Sequence, residues 1–183
     1  IEVEGRTIIS HVVDMFPGDH EFTFVCNNDH LSDRSLGMAD ELNSLHENVT
    51  IVGIDSHKKG PGYAVMQVFD QLDLSSPLVI NYCDFTCYWD FVDFVSFTEE
   101  TGCDGAIPSY RGFHPHHLTE NRYAYVREEN GWALDIREKM PFTENPMNEY
   151  ASSGTYYFKS GELAKHYISD NIKNNVNLNG EYY

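Results

Sequence analysis

The stretch PLVINYCD, which runs from Pro77 to Asp84, constrains the fold of this chain more than any other part of the sequence. Its apolar or β-favouring residues follow one another without polar alternation, as in a strand that is buried on both faces. Strands of this kind belong to parallel sheets, where ligands bind at the carboxyl ends of the strands. This strand delivers Asp84 to that edge. The alternative is that Asp84 caps the next helix, which is expected to begin near Tyr88.

Strands and helices alternate through the first hundred residues. The pattern predicts a helix capped by Thr7, a strand over 21–27, a loop over 27–30, a helix over 34–46, a strand over 49–54, a helix after Gly62, the strand that ends in Asp84, and a helix from Tyr88 to about Glu100. This order indicates βαβ units and a largely parallel sheet.

The second half of the chain is richer in hairpin signals. It predicts strands over 105–110, 123–127, 132–136 and 150–158, a His-rich loop over 111–122, and a helix over 161–172. Asn130-Gly131 stands between two of these strands and is a strong signal for a two-residue hairpin turn. No internal repeat or linker separates the halves, so a single domain over 1–183 is expected.

Charge and composition exclude several classes of partner. The formal net charge of -17 argues against nucleic acid or an anionic membrane surface as the main partner. No apolar run approaches the roughly 20 residues that a membrane span needs. The sequence has no secretory signal, and its four cysteines do not make a disulfide framework in a chain of this length. A cytoplasmic protein with reduced thiols is therefore expected.

Six short motifs occur along the chain in a defined order. They are the segment Ile1–Ile9 with its GRTII, GPGYA over 60–64, the strand that ends in Asp84, REK over 137–139, SSGTY over 152–156, and NGE over 179–181. Together they resemble the nucleotidyltransferases that join a nucleoside triphosphate to a phosphorylated substrate, most often a sugar 1-phosphate. The resemblance covers nearly the whole chain. It implies a three-layer α/β/α fold with a mostly parallel mixed sheet, Rossmann-like and related to the GT-A glycosyltransferases.

The chain departs from the pattern of this family at both ends. The family's glycine-rich loop and Lys-Pro pair, which hold the triphosphate, would precede Ile1, and a second metal-binding carboxylate is expected beyond Tyr183. The sequence is therefore expected to be part of a longer protein. After the REK motif, Met140 stands between Lys139 and Pro141, whereas the family has proline directly after the lysine.

The resemblance implies a role for each matching position. Asp84 is expected to bind Mg²⁺ and to form the catalytic centre with Lys139, which neutralises the phosphate of the substrate. The residues expected at the nucleotide are Asp55, as a base-reading side chain, Gly60, Pro61 and Gly62. The residues expected at the phosphorylated substrate are Glu138, Gly154, Thr155 and Glu181.

Three further cations are candidates for binding anions. Arg111 opens the His-rich loop, and its guanidinium suits a phosphate group. Lys58 and Lys59 directly precede the glycine motif and are expected to attract anions.

The implied reaction explains these residue types. A phosphate of the substrate attacks the α-phosphorus of the nucleotide, and pyrophosphate leaves in line. The protein positions the groups and neutralises charge, and Mg²⁺ takes carboxylate and phosphate oxygens. The implied partners are a nucleoside triphosphate and a phosphorylated small molecule. The family's products commonly supply capsule or envelope polysaccharides, and its members are commonly homo-oligomers.

Each motif also has a purely structural interpretation. Glu138 and Lys139 fit the solvated end of a hairpin, and the glycines at 60 and 62 fit an ordinary turn before a helix. Gly154 and Thr155 fit a plain strand.

Two other functions and a zinc site stay open at this point. A GT-A glycosyltransferase usually has Asp-x-Asp at the strand end, whereas Asp84 is followed by Phe85 and Thr86. A nucleotide- or sugar-binding domain without turnover is the other alternative. The residues of a hypothetical zinc site are Cys83, Cys87, His114, His116 and His117, whose spacing matches no standard structural site.

Overall fold

A computed structural model of the chain describes residues 1–183, apart from the side chain of His116. Its α-helices are α1 (Ile8–Val13), α2 (Asn28–Ser32), α3 (Met38–Ser44), α4 (Pro61–Met66), α5 (Phe91–Thr101) and α6 (Gly161–Lys173). Its strands are β1 (Glu2–Val3), β2 (Arg6–Thr7), β3 (Phe22–Asn27), β4 (Val49–Ile54), β5 (Leu78–Asn81), β6 (Gly105–Ala106), β7 (Ser109–Tyr110), β8 (Ala124–Glu129), β9 (Trp132–Glu138), β10 (Tyr150–Ser152) and β11 (Thr155–Phe158).

The strands form four small sheets rather than one large one. A four-stranded sheet has the order β7-β10-β8-β9, a three-stranded sheet the order β5-β11-β6, and β3-β4 and β1-β2 are separate pairs. Among the strand pairs of the described residues, only β3 and β4 run parallel. The α/β class is confirmed, whereas the mostly parallel sheet and the three-layer arrangement are not.

The strand before Asp84 explains this difference. β5 is only half-buried, and it pairs antiparallel with β11, so that Asn81 lies opposite Thr155. A continuous apolar run indicates burial on both faces, but it carries no information about the direction of the neighbouring strand. The direction of β5 is set by pairing with a segment more than 70 residues away in the sequence.

The two larger sheets are joined at a corner where the chain crosses twice. The predicted strand over 150–158 is divided at Ser153-Gly154, with β10 in the four-stranded sheet and β11 in the three-stranded sheet. The predicted strand over 105–110 is divided in the same way at Ile107-Pro108. The N–H of Ser153 donates to the carbonyl of Pro108 at 3.0 Å, so the two crossings are bonded to each other.

Gly154 closes this corner against the strand that leads to Asp84. Its φ is +79°, and a Cβ atom built there would lie 2.4 Å from Cδ2 of Tyr82. The carbonyl of Gly154 also accepts a hydrogen bond from the N–H of Tyr82 at 3.2 Å. Only glycine satisfies both the left-handed backbone and the close approach of the ring.

Two local predictions before β4 are wrong in detail. The segment over 27–30, predicted as a loop, is instead the start of α2. The side chain of Asn27 caps this helix by accepting a hydrogen bond from the N–H of Asp29 at 2.8 Å. The predicted helix over 34–46 is interrupted at Gly37, where φ is +57°, into a short 3₁₀ turn and α3. Asn capping and glycine in a left-handed conformation both act within one turn, which hydrophobic periodicity does not resolve.

The helix after Asp84 begins later than expected. α5 starts at Phe91, and the carboxylate of Asp90 caps it by accepting a hydrogen bond from the N–H of Asp93 at 3.0 Å. Asp84 is therefore not the cap of this helix, and that structural interpretation of Asp84 is removed.

Several predictions with strong local signals are confirmed. β4 has the predicted bounds, and α6 exceeds the predicted helix over 161–172 by one residue. β8 and β9 form the predicted hairpin, whose turn residues Asn130 and Gly131 have φ values of +53° and +83°. Among the described residues, no helix combines the length and apolarity that crossing a bilayer requires.

The corner glycine provides a test of this architecture. We expect Gly154→Ala to lower the free energy of unfolding by about 2–4 kcal/mol, because the methyl group meets the Tyr82 ring in addition to the left-handed backbone strain. Gly131→Ala is the matched control, since Gly131 also has positive φ but no atom lies within 4 Å of the added Cβ. Urea unfolding measures both variants, and equal losses would contradict the close contact at the corner.

Candidate functional site

A cavity of about 260 Å³ lies at the corner between the two larger sheets. Five residues that the sequence analysis singles out line it: Pro61, Asp84, Glu138, Lys139 and Gly154. They come from four separate stretches of the chain. The fold therefore brings four of the six motifs together at one cavity.

Asp84 enters this cavity from the loop that follows β5. Its negative charge reaches the phenol of Tyr123, whose pKa is raised first by burial and then by Asp84. Burial also raises the pKa of the neighbouring Cys83 thiol, and the charge of Asp84 raises it further. The carboxylate thus acts directly on the groups that surround the cavity.

Glu138 and Lys139 stand at the end of β9 and line the same cavity. Lys139 has a left-handed backbone, with φ of +57°, and its N–H donates to the carbonyl of Tyr123 at 3.2 Å. The Glu138 side chain is 19% exposed. Its pKa is raised, since burial outweighs the opposing effect of Lys139, whose Nζ lies 3.8 Å from Oε1 of Glu138. These are not the freely solvated residues of an ordinary hairpin end.

Glu181 reaches the same lysine from the C-terminal segment. Its carboxylate lies 4.0 Å from Nζ of Lys139 and accepts a short hydrogen bond from the hydroxyl of Tyr183. Tyr183 in turn accepts a hydrogen bond from Nζ of Lys139 at 2.7 Å. One lysine therefore faces two carboxylates and a phenol.

The glycines of the GPGYA motif contact this C-terminal segment. The N–H of Gly62 donates to the carbonyl of Tyr182 at 2.9 Å, and the N–H of Tyr182 donates to the carbonyl of Lys59 at 2.8 Å. A Cβ atom would lie 2.7 Å from the carbonyl oxygen of Tyr182 at Gly60 and 3.0 Å from it at Gly62. The sequence analysis assigned these glycines to a nucleotide base, whereas in the structure it is the backbone of Tyr182 that approaches them.

Three predicted substrate residues, Thr155, Arg111 and Glu181, do not line the cavity. Thr155 is completely buried, and its hydroxyl donates to the side-chain oxygen of Asn81, so it stabilises the pairing of β5 with β11. Arg111 donates from Nε to the carbonyl of Asn148 at 3.0 Å and stacks over the ring of Tyr150. These contacts engage the side chains of Thr155 and Arg111 away from the cavity, and the substrate-binding roles expected for them stay predictions.

Asp55 lies at a second cavity, of about 180 Å³, at the carboxyl ends of β3 and β4. Its Oδ1 accepts a hydrogen bond from the amide of Asn28 at 2.9 Å. His57 lines the same cavity and packs against Tyr63, over whose ring the amine of Lys59 also lies, at 4.3 Å. Of the predicted nucleotide residues, Pro61 thus lines the first cavity and Asp55 the second, whereas Gly60 and Gly62 line neither of these two.

The histidines of the loop over 111–122 are engaged with neighbouring groups. Nδ1 of His117 accepts from the N–H of His114 at 3.1 Å, and Nε2 of His117 lies 3.4 Å from the hydroxyl of Tyr125. Within the side chains that the structure describes, no three His, Cys, Asp or Glu residues form a group that could hold a metal ion. The hypothetical zinc site includes His116, whose side chain lies outside the described residues.

Comparison with solved structures identifies the fold. HddC from Yersinia pseudotuberculosis matches 91% of this chain with a TM-score of 0.61 and 16% identity, and the match covers 68% of HddC. A Bacillus anthracis protein that is named as a glucose-1-phosphate thymidylyltransferase and was crystallised with sucrose matches 91% of this chain, with a TM-score of 0.64, 15% identity and 63% of its own length. A UDP-glucose pyrophosphorylase complexed with UDP-glucose matches 90% of this chain, with a TM-score of 0.64, 15% identity and 68% of its own length.

The chain shares its fold with these three proteins. The resemblance drawn from the six motifs is thereby confirmed at the level of the fold. The chain spans 63% to 68% of the length of these three structures. No family model matches its sequence, and no curated protein does so either.

Sequence reasoning missed five aromatic and cationic residues that line this cavity. They are Tyr82, Arg122, Tyr123, Tyr156 and Tyr183. Tyr82 and Tyr156 lie within predicted motifs, and Tyr183 follows the NGE motif by two residues, so a signal existed in their positions. Arg122 and Tyr123 precede β8 and carry no local pattern, since only the fold brings them to Asp84.

Two carboxyl groups are expected to affect stability in opposite directions. Glu138 has a raised pKa in the folded protein, so its ionised form destabilises the fold once the pH exceeds its unfolded-state pKa. Burial works against Glu149, but hydrogen bonds from Thr143 and Phe142 leave its pKa lowered, so its contribution is lost as the pH falls through its folded-state pKa. At pH 7.5 we expect Glu138→Gln to raise the free energy of unfolding and Glu149→Gln to lower it by about 1 kcal/mol.

Chemical denaturation at several pH values between 3 and 8 provides the measurement. Both differences from the unsubstituted protein should shrink toward pH 3, because the carboxyl groups are then protonated. A stabilising effect of Glu138→Gln that persists unchanged at pH 3 would contradict this assignment.

Proposed function

We propose that the protein is a nucleotidyltransferase that transfers a nucleoside monophosphate from a nucleoside triphosphate to a sugar 1-phosphate, or to a similar phosphorylated metabolite, with release of pyrophosphate. The observation that carries this proposal is the single cavity that Asp84 and Lys139 both line at the corner of the fold. A carboxylate and an amine in one cavity suit a reaction between a metal-bound nucleotide and an anionic phosphate.

Lys139 is proposed to neutralise the phosphate of the substrate as it approaches the α-phosphorus. Its side chain is 37% exposed and lines the cavity, so an incoming phosphate can reach it. Glu138 stands beside it and is suited to accept a hydrogen bond from a substrate hydroxyl. Charge neutralisation and positioning are the main contributions that a protein makes to transfers of this kind.

Asp84 is proposed to hold Mg²⁺. Magnesium is usually bound through one or two carboxylates together with substrate phosphates, rather than by a complete cage of protein ligands. A single carboxylate at the edge of the cavity fits this donor set. When bound, the ion would neutralise charge on the phosphates of the nucleotide. Asp84 would fix its position relative to Lys139.

The nucleotide is proposed to bind toward Asp55 and the GPGYA motif. Pro61 belongs to this motif and lines the main cavity, whereas Asp55 lines the second cavity. The names of two structural neighbours, a glucose-1-phosphate thymidylyltransferase and a UDP-glucose pyrophosphorylase, support a sugar 1-phosphate as the second substrate. A role in capsule or envelope polysaccharide, a cytoplasmic location and a homo-oligomer remain predictions from the sequence.

A GT-A glycosyltransferase is the second enzyme hypothesis, and the position of Asp90 disfavours it. The next aspartate after Asp84 is used as the N-terminal cap of α5. It is therefore not placed as the second carboxylate of an Asp-x-Asp pair. A binding domain without turnover is the remaining alternative, which an activity assay distinguishes.

Pyrophosphate release tests the proposed reaction. The assay combines CTP, UTP, dTTP, GTP or ATP with a panel of sugar 1-phosphates and small phosphorylated alcohols in the presence of Mg²⁺. We expect release with a particular pair, and we expect Asp84→Asn to reduce the rate by at least about a hundredfold, since it removes the charge that holds the metal ion. The encoded full-length protein is the appropriate material.

Asp90→Asn is the matched control for this substitution. Asparagine caps a helix about as well as aspartate, so α5 and the activity should be retained. Equal losses in both variants would indicate a general effect of removing charge near α5. Binding of nucleoside diphosphate sugars without pyrophosphate release would favour the transferase or binding-domain alternatives.

A further inference from the structure

Tyr183 makes the shortest contact with the amine of Lys139. Nζ of Lys139 donates to the hydroxyl oxygen of Tyr183 at 2.7 Å, and the same amine lies 4.7 Å from the centre of the tyrosine ring. The hydroxyl proton of Tyr183 is directed to the carboxylate of Glu181. The phenol oxygen is therefore available as an acceptor for the lysine, and the direction of both hydrogen bonds is determined.

The other charged groups at Lys139 lie farther away. They are the carboxylates of Glu138, at 3.8 Å, and Glu181, at 4.0 Å. Both distances exceed those of a hydrogen bond. The two ion pairs attract the amine without fixing its direction, whereas the hydrogen bond to Tyr183 is directional. Removing the phenol oxygen would leave a flexible lysine between two carboxylates.

Tyr183 is itself held by the backbone of its neighbour. The N–H and carbonyl of Tyr182 are bonded to Lys59 and Gly62, on either side of the close approach at Gly60. The side chain of Tyr182 points elsewhere, since its hydroxyl donates to Oδ1 of Asn175 at 2.9 Å. The backbone of Tyr182 therefore anchors the segment, whereas the side chain of Tyr183 lines the cavity.

We propose that Tyr183 is a positioning residue that orients Nζ of Lys139 toward the place where the substrate phosphate binds. This inference rests on the proposed function of Lys139. It adds a residue outside the six motifs and connects the GPGYA segment to the lysine through the backbone of Tyr182. Tyr183 does not exchange a proton or a covalent bond with the substrate in this role.

Tyr183→Phe tests the inference because it removes the hydroxyl and retains the ring. We expect kcat/KM for the phosphorylated substrate to fall about tenfold, as for loss of one hydrogen bond to a charged group. The KM for the nucleoside triphosphate should stay within about twofold of its value in the unsubstituted protein, which is a small change in binding free energy. Tyr182→Phe is the matched control, since it removes a hydroxyl outside the cavity and leaves the backbone bonds intact. Its activity should be unchanged.

Two results would overturn the proposal. Equal or higher activity of Tyr183→Phe would mean that the phenol competes with the phosphate for Lys139 or has no effect on it. An equal loss in Tyr182→Phe would mean that the segment acts only through its general stability.

A measurement without turnover separates this inference from the proposed function. The hydrogen bond to Tyr183 is the main reason why the pKa of Lys139 is raised, with Glu138 and Glu181 contributing less. A ¹⁵N NMR titration of the lysine amine, assigned with Lys139→Arg, should therefore give a lower pKa in Tyr183→Phe than in Tyr182→Phe. If no substrate pair releases pyrophosphate, the proposed function fails while this titration still tests the contact. An identical titration in both variants would overturn the role of Tyr183.

Discussion

The corner at Ser153-Gly154 is the constraint on which the cavity depends. There the chain leaves the four-stranded sheet and enters the three-stranded sheet, and its backbone bonds both to Pro108 and to Tyr82. The first bond ties the two crossings together, and the second holds the strand that delivers Asp84. The walls of the cavity therefore belong to different sheets, which these backbone bonds join at the corner.

Electrostatics in the cavity differ from those of the whole molecule. With a formal net charge of -17, the protein repels anionic substrates at long range, although salt screens much of this effect. Binding of phosphates therefore depends on local cations. Lys139 and Arg122 line the cavity, but Lys139 already faces two carboxylates. A metal ion at Asp84 would supply the additional positive charge that such substrates require.

The GPGYA motif illustrates how a sequence pattern can have more than one physical cause. Glycine permits the backbone of another group to approach closely, and in this fold that group is the carbonyl of Tyr182. The contact links the motif to Glu181 and Tyr183, and through them to Lys139. Glycines that a sequence comparison attributes to a ligand can therefore also be required by the packing that assembles the site.

The fold connects distant motifs through short, directional contacts. In the sequence, Asp84, the pair Glu138-Lys139 and Gly154 belong to three separate motifs, and the structure brings them together around one cavity. The same tertiary contacts remove Thr155 from that cavity, because its hydroxyl is bonded to Asn81 in a completely buried position. Residue type and motif position alone could not distinguish these two outcomes.

The sequence by itself determined the features whose causes lie within a few residues. These include the Asn130-Gly131 hairpin, the strand at 49–54, the helix at 161–172, and the position of Asp84 after an apolar strand. Only the tertiary structure decided that β5 pairs antiparallel with β11, that Asp90 rather than Asp84 caps α5, and that Tyr183 meets Lys139. The physical reason is the sequence distance over which each interaction acts. Turn conformations and burial depend on local patterns, whereas strand direction and the convergence of side chains depend on partners that are tens of residues away.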